Sequence, residues 1–362
     1  MRVNKLNRRG LQLVVVLLAL FVLAARFRPR PDQPSDLYPV WLGAGEVLRG
    51  HDPYRQEVSK RIQLQMYGRA LTDYELQHGR DQHRFAYPAY VAFVLAPLTL
   101  LKYATAQAVA CGILAALIAL SVPCWMRCVG WSPPPAVVAW TIVIVLLSPV
   151  STRGLRLVQV GVLAGFLLSV AALAVAKNHL LLAGGLLAVT SFKPQLALLP
   201  TAWLILWSLS SFQKRWHLLL GWILTLAALM AASAALVPQW IPHFLDGLTA
   251  YRRYTGAPSA FDVVFGRPWS LGPAALAFIY LAIVAWQARG KDPSTREYAL
   301  ALTRALFVTA WAVPANFDPY NQLLSFPLVF LLGRMLKDRN SRLQPAGLQT
   351  QGPVDANTKV HP

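Results

Sequence analysis

"YATAQAVACGILAALIALSV", residues 103–122, runs for twenty positions without a charged side chain. As a helix it would be roughly 30 Å long, about the thickness of a bilayer's hydrocarbon core. It has no polar face to offer water, so it reads as a helix surrounded by lipid or by other apolar helices. Leu11 to Ala25, Ala136 to Leu147, Leu218 to Leu236 and Ala299 to Val313 are further apolar runs of this kind. Of 362 residues, 56% are hydrophobic and 14% charged, where a soluble domain would carry about a quarter charged residues. The fold class is therefore all-α: a polytopic transmembrane helical bundle.

The formal charge of +19 does not point to nucleic acid, which would need a basic patch on a recognisable soluble module. The cations punctuate the apolar runs instead, as retained cytoplasmic loops do. Arg2, Lys5, Arg8 and Arg9 precede the first run, and Arg334, Lys337, Arg339 and Arg342 follow the last. Both termini are expected on the cytoplasmic side, with an even number of crossings. Ala24-Ala25-Arg26-Phe27-Arg28-Pro29 is a poor cleavage site, so the first run reads as an uncleaved helix. Cys111, Cys124 and Cys128 form no disulfide framework. The seven His show no metal spacing, so neither a metal nor a resident cofactor is expected.

About ten crossings are expected, near 10–27, 85–101, 103–125, 136–150, 157–176, 180–210, 217–237, 270–288, 297–315 and 320–336. Residues 28–84, 126–135, 238–269 and 316–319 then lie outside. The stretch 180–210 is too long for one straight helix and contains Lys193-Pro194, so it reads as two half-helices; if both cross, the sidedness between them must be redrawn. Residues 1–343 form one membrane domain, and the polar stretch 344–362 reads as a disordered cytoplasmic tail.

The segment 28–84 is the longest hydrophilic one and holds eight of the fifteen acids. Val40, Trp41, Ala44, Val47 and Leu48 mark one helical face between Leu37 and Arg49. Ser35 or Asp36 can cap that helix and Gly50 can stop it. Glu46 falls off the stripe and is expected in solvent. Tyr54, Val58, Ile62 and Met66 mark a second helix. Both are expected to rest on the outer membrane surface.

"SDLYPVWLGAGEVLRGHDPY" (35–54) followed by "FAYPAYVAFVLAPLTLL" (85–101) resembles the opening of glycosyltransferase family 87. These are polyprenol-phosphate-sugar-dependent enzymes of the GT-C superfamily, typified by mycobacterial mannosyltransferases. The shared features are an early Asp in the first outer loop, Gly50-His51-Asp52-Pro53-Tyr54, Tyr87-Pro88, Ser148-Pro149 with Gln159, and Lys193-Pro194-Gln195. They span roughly residues 35–335 in order. The family often has Gly-Gln where this chain has Val158-Gln159.

The resemblance implies an inverting transfer of a hexose, mannose first, from a polyprenyl-phosphate donor to a lipid or glycan acceptor at the outer face of a bacterial plasma membrane. Such a reaction needs a carboxylate to take the acceptor proton and cations or oriented donors to hold the leaving phosphate. Asp36 stands at the family's base position, although Ser-Asp before a helix is equally an ordinary cap. Lys193, costly in an apolar span, leads the phosphate-holding candidates, with Arg153, Arg156, Arg252, Arg253 and Arg267. The motifs add Tyr87, Gln159, Gln195, Asp52 and Tyr54, with Asp52 first of all a turn residue. Asp318 is a further candidate for binding donor or acceptor. The alternatives are a transporter or flippase of lipid-linked glycans, and an inactive membrane scaffold; no internal repeat supports the transporter.

Overall fold

The structure is a computed structural model that describes residues 34–343. The helix expected near 10–27 and the tail 344–362 lie outside the described residues. Within them the chain is helical and contains no strand.

Residues 34–84 fold as α1 (Leu37–Leu48), α2 (Gln56–Tyr67) and the short α3 (Asp73–Gln77). Gly50, at φ +75°, ends α1: the His51 amide donates to the Glu46 carbonyl and the Gly50 amide to that of Val47. The two amphipathic faces are covered by protein. Val40, Ala44 and Val47 enter the main core, while Val58 and Ile62 of α2 pack on Leu42 of α1. Glu46 is likewise not in solvent. It is 5% exposed and holds Arg49 and Arg61 through Oε1 and His51 through Oε2, each at 3.0 Å. A carboxylate taken out of water needs such partners.

α4 (Val91–Thr99) is far shorter than the crossing expected over 85–101, and Pro97 lies inside it. Its end lies beside α1. The Trp41 indole donates to the Leu98 carbonyl, and Tyr103 OH accepts from the Ser35 amide. α5 (Tyr103–Cys128) then runs the full distance, and at its far end Arg334 donates to the Val129 carbonyl. Residues 126–135 therefore share an end of the bundle with Arg334, at the end of α5 away from Ser35, whereas the sequence reading placed them on the same side as 28–84.

α6 (Pro135–Leu147) and α7 (Pro149–Arg156) form one path bent by 55° at Ser148-Pro149. α8 (Gly161–Ala176), α9 (Leu180–Thr190) and α10 (Pro194–Leu209) follow, and the break at Ser191–Lys193 is the one expected from Lys-Pro. α11 (Phe212–Leu236) crosses α9 in backbone contact. A Cβ on Gly184 would stand 2.0 Å from the Leu218 carbonyl oxygen, and one on Gly221 would stand 2.1 Å from that of Leu181. Small residues at such crossings let apolar helices meet without a hydrophobic driving force.

α12 (Trp240–Thr255) and α13 (Ala260–Phe265) lie after α11, whose end approaches Gly50. α14 (Leu271–Ala288), α15 (Arg296–Ala312), a 3-10 turn (Pro319–Ser325) and α16 (Phe326–Leu343) complete the described chain. Among the described residues α5, α11 and α14 are each long and apolar enough to cross a membrane, and the α6–α7 pair is a fourth if counted as one span. α14 leaves Leu276, Ile279, Ile283 and Trp286 exposed, a surface suited to lipid rather than water.

Candidate active site

Five segments meet at the end of the bundle that carries α1. Asp36 stands at the N-cap position of α1, yet its side chain makes no capping bond; Ser35 Oγ accepts from the Leu37 amide at 3.4 Å instead. The Asp36 carboxylate points to Gln159, whose Nε2 donates to Oδ2 at 2.9 Å. On the other side of that amide, Oε1 accepts from Lys193 Nζ at 3.0 Å and from Tyr87 OH at 3.4 Å. Only this orientation lets the amide donate to a carboxylate and accept from an ammonium. The result is a chain from carboxylate through amide to cation, with Asp36 Oδ1 making no hydrogen bond among the described residues.

Gln159 reaches this place through the turn that ends α7. Its amide donates to the Gly154 carbonyl and the Val158 amide to that of Leu155, the pattern of a helix stop whose penultimate residue is left-handed. Val158 takes that conformation at φ +48° while fully buried. A β-branched residue there is strained, which is why glycine would be the easy choice at a position preceding this glutamine.

Lys193 lies between α9 and α10 and is 3% exposed. Its ammonium sits 4.9 Å from the centre of the Tyr320 ring. Gly161 makes this approach possible, because a Cβ there would lie 2.5 Å from Nζ and 3.3 Å from Tyr320 Cε2. Tyr320 OH donates to Asp318 Oδ2 at 3.2 Å. The loop holding Asp318 is anchored by fully buried Asn316, whose Nδ2 donates to the Gln195 and Thr309 carbonyls.

The Asp36 carboxyl is raised from its ordinary value, first by burial and then by the charge of Asp318, while Lys193 and His83 oppose the rise. A carboxylate held above its usual range takes a proton more readily than a free one.

The structure thus brings together Asp36, Gln159, Lys193, Tyr87 and Asp318. Gln195 contributes its carbonyl to Asn316 rather than its side chain to the chain of contacts. Arg153 and Arg156 are exposed on α7, whose Gly154 packs toward Tyr320, and neither touches the chain. Arg252 and Arg253 are exposed on α12. Arg267 is engaged by Asp262, which also caps α13. Asp52 forms its turn by accepting from the Tyr54 amide, and Tyr54 OH donates to the Tyr87 carbonyl at 2.7 Å. Both line a neighbouring groove. Sequence reasoning missed Tyr320, Gly161, Asn316 and Tyr251, the last of which lies within the electrostatic reach of Asp36 and Asp318. One signal for Tyr320 was present: Asp-Pro-Tyr occurs at both 52–54 and 318–320.

Residues 85–314 match the family model described as Glycosyltransferase family 87. The matched span includes Tyr87, Gln159 and Lys193, while Asp36 and Asp318 flank it. Compared with curated proteins and with solved structures, the chain has no match.

Proposed function

The chain belongs to glycosyltransferase family 87, and from that premise we propose that it transfers a hexose, mannose first, from a polyprenyl-phosphate sugar to a lipid or glycan hydroxyl, with inversion and with Asp36 as general base. The observation that carries this reading is the Asp36–Gln159–Lys193 chain. It sets a carboxylate and a buried cation on either side of one amide. The acceptor oxygen attacks the anomeric carbon while its proton passes to Asp36 Oδ1. The bond from that carbon to the phosphate oxygen breaks with its electron pair, and Lys193 holds the growing phosphate charge. A phosphate leaves well enough to need no proton, so one carboxylate suffices, unlike the pair a glycosidase uses. The lipid tail of the donor would lie along the exposed apolar helices.

The same reading takes the bundle as GT-C type, in the bacterial plasma membrane, with the site outside and the termini in the cytoplasm. α5, the α6–α7 pair, α8, α9, α10, α11, α14, α15 and α16 would each pass once, and residues 10–27 would bring the passages to ten. Compared with the sequence count, α4 drops out and 180–210 counts twice.

The test uses purified, reconstituted protein with radiolabelled polyprenyl-phosphate sugars and a membrane lipid extract as acceptor source. Loss of the base in Asp36→Asn should cost roughly 10²- to 10⁴-fold in rate. Full retention of transfer in that variant sinks the assignment.

A further inference from the structure

At the end of the bundle away from Asp36, an open cavity of about 620 Å³ lies where α9 and α11 begin. The two helices start side by side: α9 leads from Leu180 toward Lys193, and the end of α11 approaches Gly50. The volume falls in the range of ligand pockets, roughly 300–1,000 Å³. Lys214, His179, His217 and Asn178 supply the polar wall, and no carboxylate lines it. The transfer chemistry uses none of these residues.

That wall is rich in donors and short of acceptors. Arg215, next along α11, is engaged by the carbonyls of Trp207, Arg289 and Lys291. Lys214 is exposed, and its ammonium meets no acceptor among the described residues. The side chains of His179 and Asn178 are exposed too and make no hydrogen bond to a described residue. No side chain caps α9, so its first-turn amides add further donors. An ammonium can only donate, and a phosphate offers several acceptor oxygens to such a group.

Depth in the membrane narrows the source of that phosphate. α11 is long and apolar enough to cross, and its first turns carry Lys214, Arg215 and Trp216, residue types found at headgroup level. The Trp216 ring lies 4.0 Å from that of His217, which puts the cavity at the same level. Leu181 and Leu182 line the cavity and are 51% and 55% exposed, and Ile223 and Leu224 are exposed further along α11. A free phosphate would leave that apolar surface bare, whereas acyl chains attached to a bound headgroup would cover it. Basic pockets between membrane helices hold anionic lipid headgroups in this way.

We propose that this cavity binds the phosphate of an anionic phospholipid. It lies at the opposite end of the bundle from Asp36 and Lys193, so its lipid is distinct from any sugar donor held there. The experiment is native mass spectrometry of the full chain in nonionic detergent, titrated separately with phosphatidylglycerol, phosphatidylcholine and inorganic phosphate. The first phosphatidylglycerol should bind at least about tenfold more tightly than phosphatidylcholine or inorganic phosphate. Lys214→Gln should weaken phosphatidylglycerol binding about tenfold, the factor of one hydrogen bond to a charged group. Lys102→Gln removes the same charge from an exposed lysine at the Asp36 end and should leave the binding unchanged. Photocrosslinking of the wild-type chain with a diazirine-bearing phosphatidylglycerol should label residues 178–182 or 214–224. Equal affinity for the two lipids, inorganic phosphate binding as tightly as phosphatidylglycerol, binding unmoved by Lys214→Gln, an equal loss in Lys102→Gln, or no label in either segment overturns the proposal. The wild-type titrations and the crosslinks decide even if a variant fails to fold.

Discussion

Gly161→Ala puts a methyl group against the ammonium of Lys193. The new Cβ would stand 2.5 Å from Nζ and 3.3 Å from both Lys193 Cε and Tyr320 Cε2. Carbon and nitrogen not bonded to each other settle at about 3.5 Å, so Nζ must retreat by about 1 Å. The Tyr320 side is already crowded, and retreat breaks the 3.0 Å bond to Gln159 Oε1. A hydrogen bond to a charged group contributes about 1.5–3 kcal/mol, which corresponds to a loss of roughly 10- to 100-fold in kcat/KM. Global stability should fall by less than that bond's contribution, roughly 1–2 kcal/mol, because the new methyl group offsets part of it. Alanine in a helix is worth about 0.5–1 kcal/mol more than glycine, and the lysine end is flexible. Gly165→Ala, one turn further along α8, is the control. Its Cβ would meet only Leu324 Cδ2, at 3.9 Å, and full activity is expected. The assay is sugar transfer from polyprenyl-phosphate donors, with thermal unfolding measured on the same preparations. Gly161→Ala at wild-type activity, or an equal loss in Gly165→Ala, would refute the claim that transfer depends on where Lys193 is held.

The pH dependence of transfer should reflect the neighbours of Asp36. The base works only when ionised, so the rate rises as pH climbs through its elevated value; Asp318→Asn should move that acid limb to lower pH and Lys193→Met to higher pH, because the first residue raises the Asp36 carboxyl and the second lowers it. Opposite or absent shifts would show that the limb belongs to another group. Glu46 behaves in the contrary sense: burial raises its carboxyl, but the bonds from His51 and Arg61 outweigh burial and hold it below the ordinary value. Its contribution is therefore present above the unfolded-state value and lost as pH falls through the folded one. Glu46→Gln should cost about 1 kcal/mol near neutral pH, discounted because both guanidinium partners are more than half exposed, and the difference should vanish in acid unfolding curves. Gly184→Ala drives a methyl group into the Leu218 carbonyl; backbone cannot yield as a lysine tip can, so a loss of about 3 kcal/mol is expected, read as a lower unfolding temperature in detergent.

The sequence by itself determined the membrane class, because uncharged runs such as 103–122 cannot be reconciled with water. It also determined local stops whose physics is local. Gly50 ends α1 and Lys193-Pro194 breaks the 180–210 path, each through backbone constraints carried by one or two residues. The first two helices of residues 34–84 were legible from spacing alone, whereas the short α3 was not. What covers them was not, since an apolar face looks the same whether lipid or another helix lies against it. That is why Val58 and Ile62 turned out to pack on α1, and why Glu46 turned out to be buried.

The tertiary structure alone decided which polar groups meet. Asp36, Gln159 and Lys193 lie far apart in the chain, and no local rule distinguishes an aspartate that caps a helix from one that turns away to an amide. Which segments share an end of the bundle was likewise decided by contacts between distant residues, Ser35 with Tyr103 and Val129 with Arg334, because the apolar composition around α4 does not reveal how short that helix is. Val158 shows the same division. Its left-handed backbone is imposed by the turn that delivers Gln159 to Asp36, against the preference of its own side chain, so only the assembled bundle explains it.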